Sequence, residues 1–165
     1  MIQDNFSEAL TVHKAALSDK ALLAGAQKVA EVIADTFRRG GKVLIAGNGG
    51  SAADSQHFAG ELVGYFKDHE RRGYPVIALS TDTSILTAWS NDRSFDEVFA
   101  RQVGAHGKKG DVFIGLSTSG NSKNIIAAFE QAKKNGLVTV SWLGGTGGKK
   151  KGMTDIELIV PSAKT

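Results

Sequence analysis

Four short runs of aliphatic and β-branched residues alternate along the chain with segments of helical periodicity: Val43-Leu44-Ile45-Ala46, Val76-Ile77-Ala78-Leu79, Val112-Phe113-Ile114-Gly115-Leu116 and Val138-Thr139-Val140-Ser141-Trp142. Runs that are apolar at nearly every position belong to strands covered on both faces, the condition of a parallel sheet. A fifth run, Ile156-Glu157-Leu158-Ile159-Val160, ends at Pro161 and reads as an edge strand. Helices are predicted over 51–65, 83–90, 96–104 and 121–135, so that each strand feeds a helix. Upstream, from Asn5 to about Arg38, apolar residues three and four apart (Leu10, Leu17, Leu22, Val29, Val32, Ile33, Phe37) predict one or two amphipathic helices stopped by Gly40-Gly41. Strand–helix alternation with right-handed crossovers gives an α/β fold. The expected form is a three-layer αβα sandwich around a central parallel five-stranded sheet, flavodoxin-like, with residues 1–165 forming one domain and the N-terminal helices part of it.

Composition narrows the function. The chain has no cysteine, which excludes a disulfide scaffold, a thiolate metal site and cysteine catalysis. No apolar run approaches the ~20 residues that cross a bilayer, and Met1-Ile2-Gln3-Asp4-Asn5 lacks the layout of a signal peptide, so a cytoplasmic address and no membrane partner are expected. Net charge is +3, an excess equal to the single cluster Lys149-Lys150-Lys151, so nucleic acid is not expected as a partner. That cluster reads either as a solvated loop or as a lure for phosphorylated substrates. Glycine is over-represented, at 20 residues, and it gathers at the ends of the apolar runs, where ligands of such folds bind.

Two of these junctions carry chemistry. In Gly47-Asn48-Gly49-Gly50-Ser51 the glycines let successive backbone N–H groups turn toward one point in front of a helix, which suits an anion or a polar oxygen; the alternative is an ordinary turn capped by Ser51. In Ser117-Thr118-Ser119-Gly120-Asn121-Ser122 four hydroxyls within six residues can converge on phosphate oxygens; the alternative is that Ser119 and Asn121 are helix caps. His57 and Glu61, four apart on the helix after the first loop, share one face, close enough for a metal, a proton relay or a plain surface hydrogen bond.

The two loops resemble the sugar-isomerase (SIS) domain family. More narrowly, 46–61, Thr81-Asp82-Thr83-Ser84, Asn91-Asp92, Arg101-Gln102-Val103, 110–122 and Val160-Pro161-Ser162 resemble its phosphoheptose isomerase branch, in order and over nearly the whole chain. The resemblance implies that Ser117, Thr118, Ser119 and Ser122 hold a substrate phosphate, that Asn48, Gly49, Gly50 and Ser51 lie against the sugar, and that Asn91 and Asp92 face it. It implies that His57 and Glu61 bind zinc, with Glu61 also the acid–base residue, in a homotetramer. The implied reaction interconverts sedoheptulose 7-phosphate and D-glycero-D-manno-heptose 7-phosphate through an enediol, for bacterial heptose synthesis. Such proton transfer between adjacent carbons needs a base, and a partly buried carboxylate suits it.

Two features depart from that pattern, and a third bears on assembly. The family continues beyond Pro-Ser-Ala-Lys-Thr into a helix with a further glutamine and histidine, which leaves His57 and Glu61 as two ligands where zinc takes three or four. Glu61 lies ten residues past Ser51, roughly 15 Å along a helix, so a site shared between subunits is expected. Trp89 and Trp142 either narrow the sugar site or pack in the core. A rival reading is a non-catalytic SIS-domain regulator that binds the replication initiator; Glu61 and Ser119 favour the enzyme over it.

Overall fold

The computed structural model describes residues 1–162. Its elements are α1 (Ile2–Ser18), α2 (Lys20–Arg38), β1 (Val43–Ala46), α3 (Gly50–Val63), β2 (Val76–Ala78), α4 (Thr83–Asp92), α5 (Val98–His106), β3 (Val112–Ser117), α6 (Lys123–Lys134), β4 (Val138–Gly144) and β5 (Ile156–Val160). All five strands pair in parallel, in the order β2-β1-β3-β4-β5. That is the flavodoxin-like order, whose direction of winding reverses between β1 and β3.

The strand runs are apolar throughout because both faces are covered. On β1, Val43 and Ile45 join Val29, Ile33 and Phe37 of α2 and Ala59 of α3 in one core. Leu44 and Ala46 join Val98, Phe99 and Val103 of α5 and Ile125, Ala128, Phe129 and Ala132 of α6 in the other. The pleat thus divides one sequence run between two layers. The N-terminal periodicity resolves into two helices broken at Asp19, whose carboxylate accepts from the N–H groups of Ala21 and Leu22 and starts α2. Helix α2 is integrated in the sandwich, whereas α1 buries no side chain and leaves Ile2, Phe6, Leu10 and Leu17 open.

Some boundaries differ from expectation. Helix α3 starts at Gly50 with Gly49 as its cap residue, so Ser51 is inside the first turn and is not the cap. It ends at Val63 because the chain breaks at Gly64. The helix expected over 83–90 runs on to Asp92, and the one expected from Asp96 starts as a 3-10 turn, Phe95–Glu97, begun by Ser94. The lysine cluster is not wholly solvated: Lys149 and Lys151 are exposed but Lys150 is fully buried. A 3-10 turn at Gly148–Lys150 directs it inward, a reversal that side-chain type alone does not announce. Ala163, Lys164 and Thr165 lie outside the described residues.

At the amino ends of the inner strands, Asp111 precedes β3 and clamps the start of β1. Its carboxylate accepts from the backbone N–H of Lys42 (3.0 Å) and of Lys108 (2.9 Å) and from Lys42 Nζ (2.6 Å). Burial by itself would raise the Asp111 carboxyl; these hydrogen bonds and the Lys42 charge outweigh it and hold the group below the usual carboxylate range.

Candidate active site

The loops after β1 and β3 leave the carboxyl ends of adjacent strands and enter helices on opposite faces, so they flank the crevice at which the winding reverses. At the first, Gly47 has no room for a side chain: a Cβ there would stand 2.6 Å from Ser51 Cβ. The chain folds back tightly, with Ser51 N–H donating to Asn48 O at 3.0 Å, and presents the start of α3 to the crevice. At the second, Gly120 adopts φ +65°, and a Cβ would overlap the carbonyl oxygen of Gly147, so only glycine closes this turn.

The hydroxyls divide by position. Ser117 is buried, and its Oγ lies 3.0 Å from that of Ser122 at the head of α6. Ser122 precedes the helix without capping it, because its hydroxyl is turned toward Ser117 instead. Thr118 and Ser119 are exposed at the mouth, and Ser119 Oγ accepts from Asn121 N–H at 3.2 Å, a turn inside the loop and not a helix cap. The result is a bowl of hydroxyl and backbone donors at a helix N-terminus, the kind of surface that receives phosphate.

Asn124 was missed by sequence reasoning. It is buried in the first turn of α6, and its carboxamide exchanges two hydrogen bonds, each 2.9 Å, with that of Asn48. This reciprocal pair ties the two loops across the crevice and fixes their relative position. The two asparagines are 76 residues apart, so no local pattern could have shown the contact.

His57 and Glu61 stand apart from this bowl, further along α3. His57 Nε2 is 3.9 Å from Glu61 Oε1, with Glu61 half-buried and His57 mostly exposed. They line a cavity of about 440 Å³ with Asp54, Phe58, Phe66, Arg71 and Trp142. The Arg71 guanidinium holds the end of α3 by donating to the carbonyls of Glu61 (2.5 Å) and Leu62 (2.9 Å), a further residue that sequence reasoning missed. Trp142 meets Phe58 edge to face at 5.5 Å and forms one wall of the cavity. Trp89 is partly buried against the α5–α6 core, under the Arg101 guanidinium at 4.8 Å.

Asn91 and Asp92 end α4, exposed and hydrogen-bonded to each other at 2.9 Å; no hydrogen bond between described residues carries them to either loop. As zinc donors, a neutral imidazole nitrogen and a carboxylate oxygen are suitable types. Their spacing needs only a small side-chain adjustment to reach the ~3.3 Å between neighbouring donors of a tetrahedral ion with ~2 Å bonds. No third histidine, aspartate or glutamate joins them in a metal-holding group among the described residues.

Comparison with known proteins agrees with this architecture. The family profile of the SIS domain matches residues 7–144. A phosphoheptose isomerase of Burkholderia pseudomallei (strain 1710b) is 52% identical over 99% of this chain and 83% of its own length, and one of Helicobacter pylori (strain P12) is 51% identical over 100% and 86%. The solved structure of the phosphoheptose isomerase of Neisseria gonorrhoeae superposes with a TM-score of 0.92 at 40% identity, covering 99% of this chain and 86% of that one. The chain therefore belongs to the SIS-domain proteins and, among them, to the phosphoheptose isomerase family. It is an isomerase.

Proposed function

We infer that the chain interconverts sedoheptulose 7-phosphate and D-glycero-D-manno-heptose 7-phosphate, supplying bacterial heptose synthesis. The observation that carries this reading is the coupling of the two loops at the crevice. The serine loop offers a neutral hydroxyl bowl for the phosphate, and the Asn48–Asn124 pair holds the glycine loop beside it for the sugar.

In this mechanism Ser117, Thr118, Ser119, Ser122 and the N-terminus of α6 fix the phosphate end, while Asn48, Gly49, Gly50 and Ser51 orient the open-chain sugar, assisted by Asn91 and Asp92. Glu61 takes the proton from C1 of the ketose as O2 gains one to give the enediol, and returns a proton at C2 as O1 loses its own to become the aldehyde oxygen; half-burial beside Phe58 and Trp142 limits competition from water. His57 and Glu61 would hold a zinc ion, which when bound would supply Lewis-acid stabilisation of negative charge developing on the substrate oxygens.

Glu61 lies well down α3 from the glycine loop, so we place each working site between subunits of a homotetramer, with α3 of one chain facing the serine bowl of another. The exposed apolar residues of α1 suit contact with a second copy. The compartment is the cytoplasm, where phosphorylated sugars are retained.

The test is isomerisation of sedoheptulose 7-phosphate by the full-length protein with zinc. Glu61→Gln should cost about 10²–10⁴-fold in turnover and leave phosphate binding intact. Mixing Glu61→Gln chains with Ser119→Ala chains should restore activity in hybrid oligomers; normal turnover by Glu61→Gln removes the assigned base, and no recovery in hybrids removes the shared site.

A further inference from the structure

A buried cation backs the serine bowl. Lys150 closes the 3-10 turn Gly148–Lys150, is fully buried, and its Nζ has no hydrogen-bond partner among the described residues. The segment that carries it is fastened to the outside of the serine loop. Gly144 N–H donates to Thr118 O at 3.1 Å, Lys149 N–H donates to Asn121 Oδ1 at 3.1 Å, and a Cβ on Gly148 would overlap the carbonyl oxygen of Ser119. On the inner side the ammonium lies 5.9 Å from the centre of the Phe129 ring. Phe129 packs where a Gly115 side chain would stand, and the next residue on that face of β3 is Ser117. Those steps put the charge roughly 10–15 Å from the phosphate bowl, given a strand rise of ~3.3 Å per residue.

No carboxylate among the described residues pairs with it. Glu157 Oε1 accepts from Gly152 N–H at 2.8 Å and from the Thr154 hydroxyl at 3.3 Å, and Asp155 Oδ2 accepts from Thr139 N–H and its hydroxyl, each at 2.7 Å. Both carboxylates are thus engaged elsewhere. The other lysines at this end are of a different kind: Lys123, in the first turn of α6, pairs with Asp96 at 3.4 Å, and Lys149 and Lys151 are in water. The hydroxyls of the bowl are neutral, so the attraction a phosphate dianion feels from side chains depends on whatever charge stands behind them. Burial pushes the Lys150 ammonium down to about 8, which leaves it mostly charged at neutral pH. Through packed protein its field reaches the bowl with less screening than a surface lysine exerts.

We propose that Lys150 is a specificity-determining residue: without touching the ligand, its buried charge makes the serine bowl prefer a phosphate dianion. The inference rests on the bowl's being the phosphate site. A structural role and an electrostatic one separate in Lys150→Met, which is one atom shorter, retains the unbranched apolar stem and removes the ammonium.

Calorimetry and kinetics on the full-length oligomer at pH 7, with sedoheptulose 7-phosphate and with inorganic phosphate, read the outcome. Lys150→Met should bind both about tenfold more weakly, with KM raised, kcat unchanged and Tm a few degrees higher than wild type. If wild type binds neither compound, the assignment of the bowl fails and this inference with it. If wild type binds and Lys150→Met binds equally well, the bowl stands and the role of Lys150 is refuted. Weaker binding together with a lower Tm also refutes it, since that marks Lys150 as packing.

Discussion

Asp111 and Lys150 are the two charged side chains the described chain buries most deeply, at 3% and 0% exposure, and they sit toward opposite ends of one sheet. Asp111, before β3, has every need met: two backbone N–H donors and an opposite charge, which together bind the starts of β1 and β3. Lys150, after β4, has a ring face and, among the described residues, no hydrogen-bond partner. The difference teaches where each end stands in the division between folding and binding. The amino ends of the strands hold charge in a saturated network, which adds stability and presents nothing to a ligand. The carboxyl ends of β1, β3 and β4 keep glycine turns, the starts of α3 and α6 without side-chain caps, and an ammonium with no partner among the described residues, all of which cost stability until an anion arrives.

That contrast is most easily broken at the turn between the two layers of the carboxyl end. Gly120→Ala would force a side chain into the Gly147 carbonyl at a backbone angle that disfavours it, displacing the serine loop and the Lys150 segment together. Sugar-phosphate affinity should fall by ~10²-fold, the penalty typical of an ångström-scale misplacement. Titration calorimetry measures it; retained affinity would show that the bowl is not the binding element. Next in size, Asp111→Ala should lower stability by about 2–3 kcal/mol in denaturant titration, since Lys42 can still turn to water, while KM stays at the wild-type value. A raised KM in that variant would mean the two ends are not independent. Asn124→Ala leaves the Asn48 carboxamide half-buried without its partner, for a cost of about 1–2 kcal/mol. Because the lost contact spans the crevice, KM should rise as well, unlike in Asp111→Ala.

The strands were legible because each is an apolar run bounded by glycine or a polar turn, and a parallel sheet leaves no ambiguity of face to resolve. The two loops were legible because their glycines and hydroxyls are contiguous, and the resemblance to the SIS domain rests on those residues. What escaped notice is nonlocal. The Asn48–Asn124 pair spans 76 residues and the Asp111 clamp 69, and each joins segments that only the sheet brings side by side. Lys150 escaped for another reason. A run of three lysines reads as a solvated surface, and its inward turn is imposed by the glycines before it, which pack against the serine loop. The helix-face argument put His57 and Glu61 within reach of each other, as found at 3.9 Å.

Rising pH should add stability at both ends of the sheet, at each over its own window. The Asp111 carboxyl is held below its ordinary value, so its contribution is complete above about pH 4 and is lost as pH falls further. Lys150 titrates at about 8 in the fold against an ordinary 10.5. Between those values the unfolded chain binds more protons than the folded one, so stability rises with pH across that window and is flat below it. The difference between wild type and Lys150→Met isolates this contribution. At pH 7 the variant should be more stable by about 1–3 kcal/mol, the typical cost of a buried unpaired polar group. By pH 10 the gap should have narrowed, because wild type then buries a neutral amine. A gap that stays constant from pH 7 to pH 10 would mean that Lys150 binds its proton equally in the folded and unfolded chains, so that its ammonium is not desolvated by folding, and the contrast between the two ends of the sheet would fall with it.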